Sequence, residues 1–351
     1  MGIYSAGNLK KFIQTALVFK EVAEKDARIV ADVLVKADLE GISSHGIGRF
    51  PAYFEQLVKG KINPLPSITI HKKGPSVLVV DGDGGFGSII SYKAMAKGIT
   101  LARKTGISAV AVHNSHHFGC ASYYAEMAAK AGLIAIVTTD SPPGIAPWGG
   151  RQAFLGTNPI AFSFPVSNGP DVVVDMSSSV VARGKIVEAA KCGEKIPADW
   201  AIDPEGFATE NPADALSGSL LPLGGAKGYC LALAIEILTK VLTNTASGSD
   251  DLLTITATQD MQTHIGHFFI LIDIRRFINF DTFTTNLQTM LHEMKHVQKR
   301  EGIEEILYPG ERRWRSYFEK LKRGVHLSPE VENELNRLAH RYRLEPLTEG
   351  I

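Results

Sequence analysis

Between residues 76 and 300, short apolar runs of strand character alternate with longer runs of helical period. That alternation confines the chain to an α/β design, with helices laid over a sheet. Runs 77–81, 108–113, 133–138, 160–165 and 171–176 read as strands, and 88–104, 121–131, 177–191 and 226–243 as helices. Ahead of them, residues 8–41 place Ile29, Val30, Val33, Leu34 and Ala37 at helical spacing, so two amphipathic helices are expected, the second ending at Gly41. Residues 43–66 hold Pro51, Pro64 and Pro66 and read as a helix fragment and a loop. Runs 282–300 and 329–342 are helical and charged. At 351 residues the chain exceeds what one hydrophobic core organises. The expected division is an N-terminal helical segment 1–75, an α/β region 76–310 and a C-terminal helical segment 311–351.

Charge and cysteine usage exclude several functions. Lys plus Arg number 37 and Asp plus Glu 37, so no bulk positive field gathers phosphates and a general nucleic-acid binder is excluded. Cys120, Cys192 and Cys230 are odd in number and scattered, which fits a reducing compartment better than a disulfide framework. No apolar run approaches the roughly 20 residues of a membrane span, and the first dozen residues lack the apolar run of a signal peptide. The expected location is the cytoplasm. The Thr/Ser/Asp-rich stretch 243–260 reads as an exposed loop.

Two motifs invite functions that their contexts do not support. Gly82-Asp83-Gly84-Gly85-Phe86-Gly87 spells the dinucleotide fingerprint between a strand and a helix, but the next strand ends in His113 and Asn114 instead of the acid that holds a ribose. A glycine-rich turn is the plainer reading. His292-Glu293-Met294-Lys295-His296 spells a zinc-peptidase helix. On a helical wheel the apolar stripe is Phe283, Leu287, Met290, Leu291, Met294 and Val297, so both histidines face solvent, and no metal site is expected.

Four other segments can carry chemistry. In Ser43-Ser44-His45-Gly46, Arg49 follows His45 by four positions and Tyr53 follows Arg49 by four, which gives one face if the segment is helical. Imidazole beside guanidinium suits an oxyacid, because Arg pairs with a carboxylate while His exchanges a proton; a surface turn is the alternative. His116 and His117 follow a strand's carboxyl end, where open α/β sheets place ligands, and a general acid/base is the better functional reading there. Asp175 ends another strand, and Ser177-Ser178-Ser179 after it read as a helix start able to hold an anion or merely to cap. Gly224-Gly225-Ala226-Lys227-Gly228 opens a helix with Lys227 at its positive end, a placement that an anionic neighbour would offset.

In order, the segments Ser44-His45-Gly46 with Arg49, Asn114-Ser115-His116-His117-Phe118-Gly119, Ala146-Pro147-Trp148-Gly149-Gly150 and Leu155-Gly156-Thr157-Asn158-Pro159-Ile160 resemble the type-2 malate/L-lactate dehydrogenase family. So do Val174-Asp175-Met176, Ala182-Arg183-Gly184-Lys185, Leu223-Gly224-Gly225-Ala226-Lys227-Gly228-Tyr229, His267-Phe268-Phe269 and Pro309-Gly310-Glu311. The resemblance runs over residues 8–345. It implies a homodimeric oxidoreductase using NAD or NADP on a small 2-hydroxy or 2-oxo acid. The implied fold is a non-Rossmann, mixed-sheet α/β cofactor domain flanked by a helical domain built from both chain termini.

By the same resemblance the cofactor meets Ser141, Asp175, Met176, Ser177, Lys227, Gly228, Pro309, Gly310 and Glu311. Arg49 grips the substrate carboxylate, with Tyr53, Thr157 and Asn158 as further substrate contacts. His45 and His117 are the two acid/base candidates, of which His117 is preferred for its place beyond a strand end. Asp140 stands where many relatives have Asn, and the substrate and the choice between NAD and NADP stay open. Two other readings are a zinc metallopeptidase through His292, Glu293 and His296, and a non-catalytic metabolite-binding relative.

Overall fold

A computed structural model describes residues 2–245 and 265–350. The chain begins with β1 (Ile3–Tyr4), α1 (Ala6–Phe19) and α2 (Glu24–Leu39); single 3-10 turns at Ser43–His45 and Ile47–Arg49 then lead into α3 (Phe50–Val58). Next come β2 (Thr69–Gly74), β3 (Val77–Asp81), α4 (Gly87–Thr105), β4 (Ile107–Ser115), α5 (Ala121–Lys130) and β5 (Leu133–Thr139). Beyond these lie β6 (Pro143–Ile145), β7 (Leu155–Gly156), β8 (Ile160–Phe164) and β9 (Val172–Met176). A smaller unit follows, with α6 (Arg183–Cys192), β10 (Ala201–Ile202), α7 (Pro212–Ser217), β11 (Ser219–Leu220) and α8 (Ala226–Glu236). The described chain closes with β12 (Ile265–Asp273), α9 (Phe280–Lys295), α10 (Glu311–Arg323), β13 (Val325–His326) and α11 (Pro329–Tyr342).

Seven strands form the main sheet in the order β2-β3-β4-β12-β5-β8-β9. Only β3 and β4 run parallel; every other neighbouring pair is antiparallel, so the sheet is mixed and not doubly wound. The expected α/β layering is present, since α4 and α5 bury Ile90, Ala94, Met95, Tyr124 and Ala125 against Val110, Val137 and Phe269 of the sheet. A second apolar cluster joins α1, α2 and α3 to α11, packing Leu9, Ile13, Leu34, Phe50 and Phe54 with Leu335 and Ala339. The chain's two ends therefore share one core, and β1 pairs with β13 beside it. A third, smaller cluster holds Ile145, Leu155, Ile186, Ala201 and Leu220.

Several strands and helix starts differ from the sequence expectation. Strand β12 was not foreseen: it is inserted between β4 and β5, and although Phe269 and Leu271 are buried while Phe268, Ile270 and Ile272 are half-buried, all five positions are apolar, so the polar/apolar alternation that marks a strand is missing from the sequence. Strand β2, with Lys72 and Lys73, is an exposed edge and carries too little apolar signal. The helix expected over 177–191 begins only at Arg183, so the serine run precedes it as irregular chain. From residue 246 onward, the stretch read as an exposed loop lies outside the described residues. Among the described residues no helix is long and apolar enough to cross a membrane.

Candidate active site

Beyond α2 the chain turns at Gly41, whose φ of 80° is open to glycine at little cost. The 3-10 turns that follow carry His45 and Arg49 and are pinned from beneath by Asp38, whose buried Oδ2 accepts the Ile47 N–H at 2.6 Å. A Cβ on Gly46 would lie 1.9 Å from Asp38 Oδ1, so only glycine lets the turn close over that carboxylate. Burial pushes Asp38 up to about 7. Within the turn, Ser44 Oγ lies 2.9 Å from His45 Nδ1, and Arg49 Nε donates to the Ser44 carbonyl at 2.8 Å.

His117 reaches the same place from the carboxyl end of β4. Its backbone approaches α4 so closely that a Cβ on Gly87 would sit 1.9 Å from the His116 carbonyl, and one on Gly82 would meet the Asn114 carbonyl at 2.6 Å. Two glycines of the apparent fingerprint thus let the β4–α5 loop pack down. The rings of His45 and His117 stack with centroids 5.6 Å apart, and Tyr53 Oη lies 2.5 Å from His117 Nδ1. The Gly119 N–H also donates to that Nδ1, at 3.2 Å. Burial is the main force on both imidazoles and the Arg49 charge adds to it, pushing His45 down to about 4 and His117 well below the usual histidine range. The histidine pair, Arg49 and Tyr53 therefore lie together, although residues 43–49 form two 3-10 turns and not the single helix on which the spacing argument depended.

Behind it, His267 was quoted only as part of a motif and proves to be a buried scaffold group. Its ring spans Thr139 Oγ1 at 2.7 Å and Ser115 Oγ at 2.8 Å and stacks on Phe118 at 4.6 Å. Burial depresses it to about 3, so it is neutral.

Asp175, at the end of β9, is close enough for its charge to act on His45. Its Oδ2 accepts the Ser122 N–H and Arg313 Nη1, each at 3.1 Å, while Arg313 Nη2 lies 3.4 Å from the Asp175 carbonyl. Arg313 comes from α10, and no sequence signal pointed to it. Met176 is exposed. Ser177 Oγ donates to the Ser179 carbonyl, and Ser178 bonds the Thr157 carbonyl through both N–H and Oγ. The serines therefore staple loops together and do not open a helix.

Ser141 and Thr157 face each other, Thr157 N–H donating to Ser141 Oγ at 2.9 Å. Asn158 does not point to open space, as a substrate contact would. It is fully buried, gives both amide hydrogens to the Ala232 carbonyl and Glu236 Oε2, and accepts the Ser141 N–H. Asp140 lies beside this group, buried, raised to about 7 by that burial, and accepting the Gly266 N–H at 2.6 Å. The turn before α8 is tied to the serine run by Leu223 N–H donating to the Ser178 carbonyl. Gly228 is crowded by Leu223, and Lys227 is exposed with no ion pair among the described residues. Farther along β9, Pro309 accepts the Val173 N–H, Gly310 approaches the Asp171 carbonyl, and buried Glu311 accepts from Tyr308 N–H and Lys295.

His292, exposed on α9, and His296, exposed at the residue that caps it, have ring centroids 4.1 Å apart. Among the described residues no group of three or more His, Cys, Asp or Glu is placed to hold a metal.

Comparison with known proteins gives a consistent result. A model of the malate/L-lactate dehydrogenase family matches residues 4–336. The chain is 40% identical over 347 residues to malate dehydrogenase of Pyrococcus abyssi, covering 97% of this chain and 94% of that one. It is 31% identical over 313 residues to ureidoglycolate dehydrogenase (NAD(+)) of Escherichia coli K12, covering 88% and 87%. Among solved structures, sulfolactate dehydrogenase of Methanocaldococcus jannaschii superimposes with a TM-score of 0.89 at 39% identity, over 98% of each chain.

Proposed function

The chain belongs to the malate/L-lactate dehydrogenase family, and on that premise we propose that His45, Arg49 and His117 form the site at which this NAD(P)-dependent oxidoreductase interconverts a small 2-hydroxy acid and its 2-oxo acid. The stacked pair of imidazoles beside a guanidinium carries the reading. Arg49 engages the Ser44 carbonyl through Nε, so its two terminal nitrogens are left to grip a carboxylate. Hydride transfer is the chemistry that the bound nicotinamide supplies.

The chain's own task is to hold and move the proton, and the hydrogen bonds divide that work. The Gly119 N–H can only donate, so His117 Nδ1 must accept and a neutral His117 keeps its proton on Nε2. That tautomer offers a fixed N–H to the substrate oxygen. Ser44 Oγ can accept from His45 Nδ1, which leaves the His45 Nε2 lone pair to take the hydroxyl proton during oxidation and return it during reduction. On this reading His45 exchanges the proton, in place of His117, which the sequence favoured.

The residues present fit a dinucleotide. Both protein donors to the Asp175 carboxylate use Oδ2, and Oδ1 accepts from none of the described residues, so a ribose hydroxyl can donate to it. Lys227, without an ion pair among the described residues, supplies a cation for a diphosphate. Ser141, Met176, Ser177, Gly228 and the Pro309–Glu311 loop complete the proposed cofactor surface, which makes the mixed sheet a non-Rossmann NAD(P) platform. The helical lobe formed by both termini, a homodimer and a cytoplasmic location belong to the same reading.

The test is a panel of 2-oxo acids assayed with NADH and NADPH, run on the wild type and on His45→Gln and His117→Gln. The expected result is turnover of at least one oxo acid, lowered about a hundredfold or more by His45→Gln while NADH still binds. Full turnover in both variants refutes the assignment.

A further inference from the structure

We propose that Arg313 is a positioning residue of the reaction: from the C-terminal helix it clamps Asp175 so that the free carboxylate oxygen faces the ribose that carries the nicotinamide. The proposal rests on the reading of Asp175 as a cofactor ligand. Three observations support the clamp. Arg313 Nη1 bonds both Asp175 Oδ2, at 3.1 Å, and Ser122 Oγ, at 2.5 Å, while Nη2 lies 3.4 Å from the Asp175 carbonyl. Ser122 N–H, at the start of α5, meets the same Oδ2, so the guanidinium fork and the helix start fix one oxygen and leave the other. Both side chains of the pair are mostly buried, so the geometry is not averaged by solvent.

Arg313 does not act in isolation along α10. Ser316 Oγ donates to the Leu39 carbonyl and Lys320 Nζ to the Asp38 carbonyl, each at 2.8 Å. Positions 313, 316 and 320 share one helical face. Asp38 in turn holds the Ile47 N–H between His45 and Arg49. One face of the C-terminal helix therefore ties the turn bearing the histidine to the strand end bearing Asp175, two parts of the site that come from different lobes. Asp175 Oδ2 accepts the N–H of Ser122, five positions beyond the His117 that stacks on His45, so Asp175 lies on the histidine side of the site and the ribose it meets is the nicotinamide ribose, not the adenosine ribose, where a 2′-phosphate would sit. Arg313 thus sets cofactor placement without choosing between NAD and NADP.

Arg313→Lys tests this, because an ammonium keeps the charge but cannot span Oδ2, the carbonyl and Ser122 Oγ together. NADH and NADPH binding are measured by fluorescence titration, alongside melting temperature and steady-state kinetics. The expected outcome is about tenfold weaker binding of both dinucleotides by the same factor, with the kinetic loss falling on KM for the dinucleotide more than on kcat. Asp175→Asn is expected to weaken NADH binding at least as much, and the double variant to be no worse than Asp175→Asn alone. Ser122→Ala, which removes one contact of Arg313 without removing a charge, is expected to weaken binding about threefold. If Asp175→Asn weakens NADH binding while Arg313→Lys and Ser122→Ala, or whichever of them folds, bind as wild type, the proposal is overturned. If Asp175→Asn itself binds NADH normally, the cofactor reading of Asp175 fails and the proposal falls with it. Selective loss of NADPH affinity in Arg313→Lys would also overturn it, by placing Arg313 at the other ribose.

Discussion

His267 makes the stability of this protein depend on pH in a way that a single substitution removes. Its ring lies in the middle of the seven-stranded sheet, neutral, between the hydroxyls of Ser115 and Thr139, with burial holding it down to about 3 from an ordinary 6.5. In the unfolded chain the ring titrates at the ordinary value. Below that value the unfolded state binds a proton that the folded state refuses, so the stability present above pH 6.5 is lost as pH falls toward 3. At pH 4.5 the loss covers about two pH units, which amounts to about 3 kcal/mol. His267→Gln places an amide between the same hydroxyls and does not titrate. The expected result from urea unfolding at fixed protein concentration is that the wild type loses about 3 kcal/mol more than the variant between pH 7 and pH 4.5. Carboxylates common to both proteins cancel in that difference. Equal losses, within about 0.5 kcal/mol, would mean that His267 accepts a proton without unfolding, and the argument from burial would be wrong.

Two further outcomes are expected. Arg49→Met removes both the carboxylate grip and a positive charge that holds His45 down, so kcat/KM for the oxo acid should fall by about a hundredfold or more, and the acid limb of hydroxy-acid oxidation should move to higher pH; a drop below threefold with an unmoved limb contradicts the assigned role. Prolonged treatment with a chelator, followed by assay without added metal, should leave hydride transfer unchanged, because His292 and His296 stand on an exposed helix face. Activity that disappears on chelation and returns with zinc would revive the peptidase-type site.

Much of the fold was legible because burial on one face leaves a period in the sequence. Helices α1, α2, α4, α5 and α11 and strands β3, β4, β5, β8 and β9 all lie where apolar spacing puts them. Strand β12 escaped because its half-buried face, Phe268, Ile270 and Ile272, is as apolar as its buried one, and the missing alternation removed the cue. The serine run misled for another reason: serine is equally suited to start a helix and to bind loop carbonyls, and here the carbonyls of Thr157 and Ser179 are what it meets. Asn158 was misplaced for the same kind of reason, since an amide at a turn gives no sign of whether it faces solvent or the scaffold.

Residue types and spacing determined which chemistry was within reach: an imidazole and a guanidinium on one short turn, a second imidazole beyond a strand, a carboxylate ending another. Those are local properties, set by neighbours a few positions away. Their assembly is not local. Tyr53 meets His117 across 64 positions and Arg313 meets Asp175 across 138, contacts that exist only because the helical core shared by the two termini is seated against the mixed sheet. Packing at that range leaves no period in the sequence, so the stacked histidines, the tautomer imposed by Gly119 and the clamp on Asp175 were decided by the tertiary structure alone.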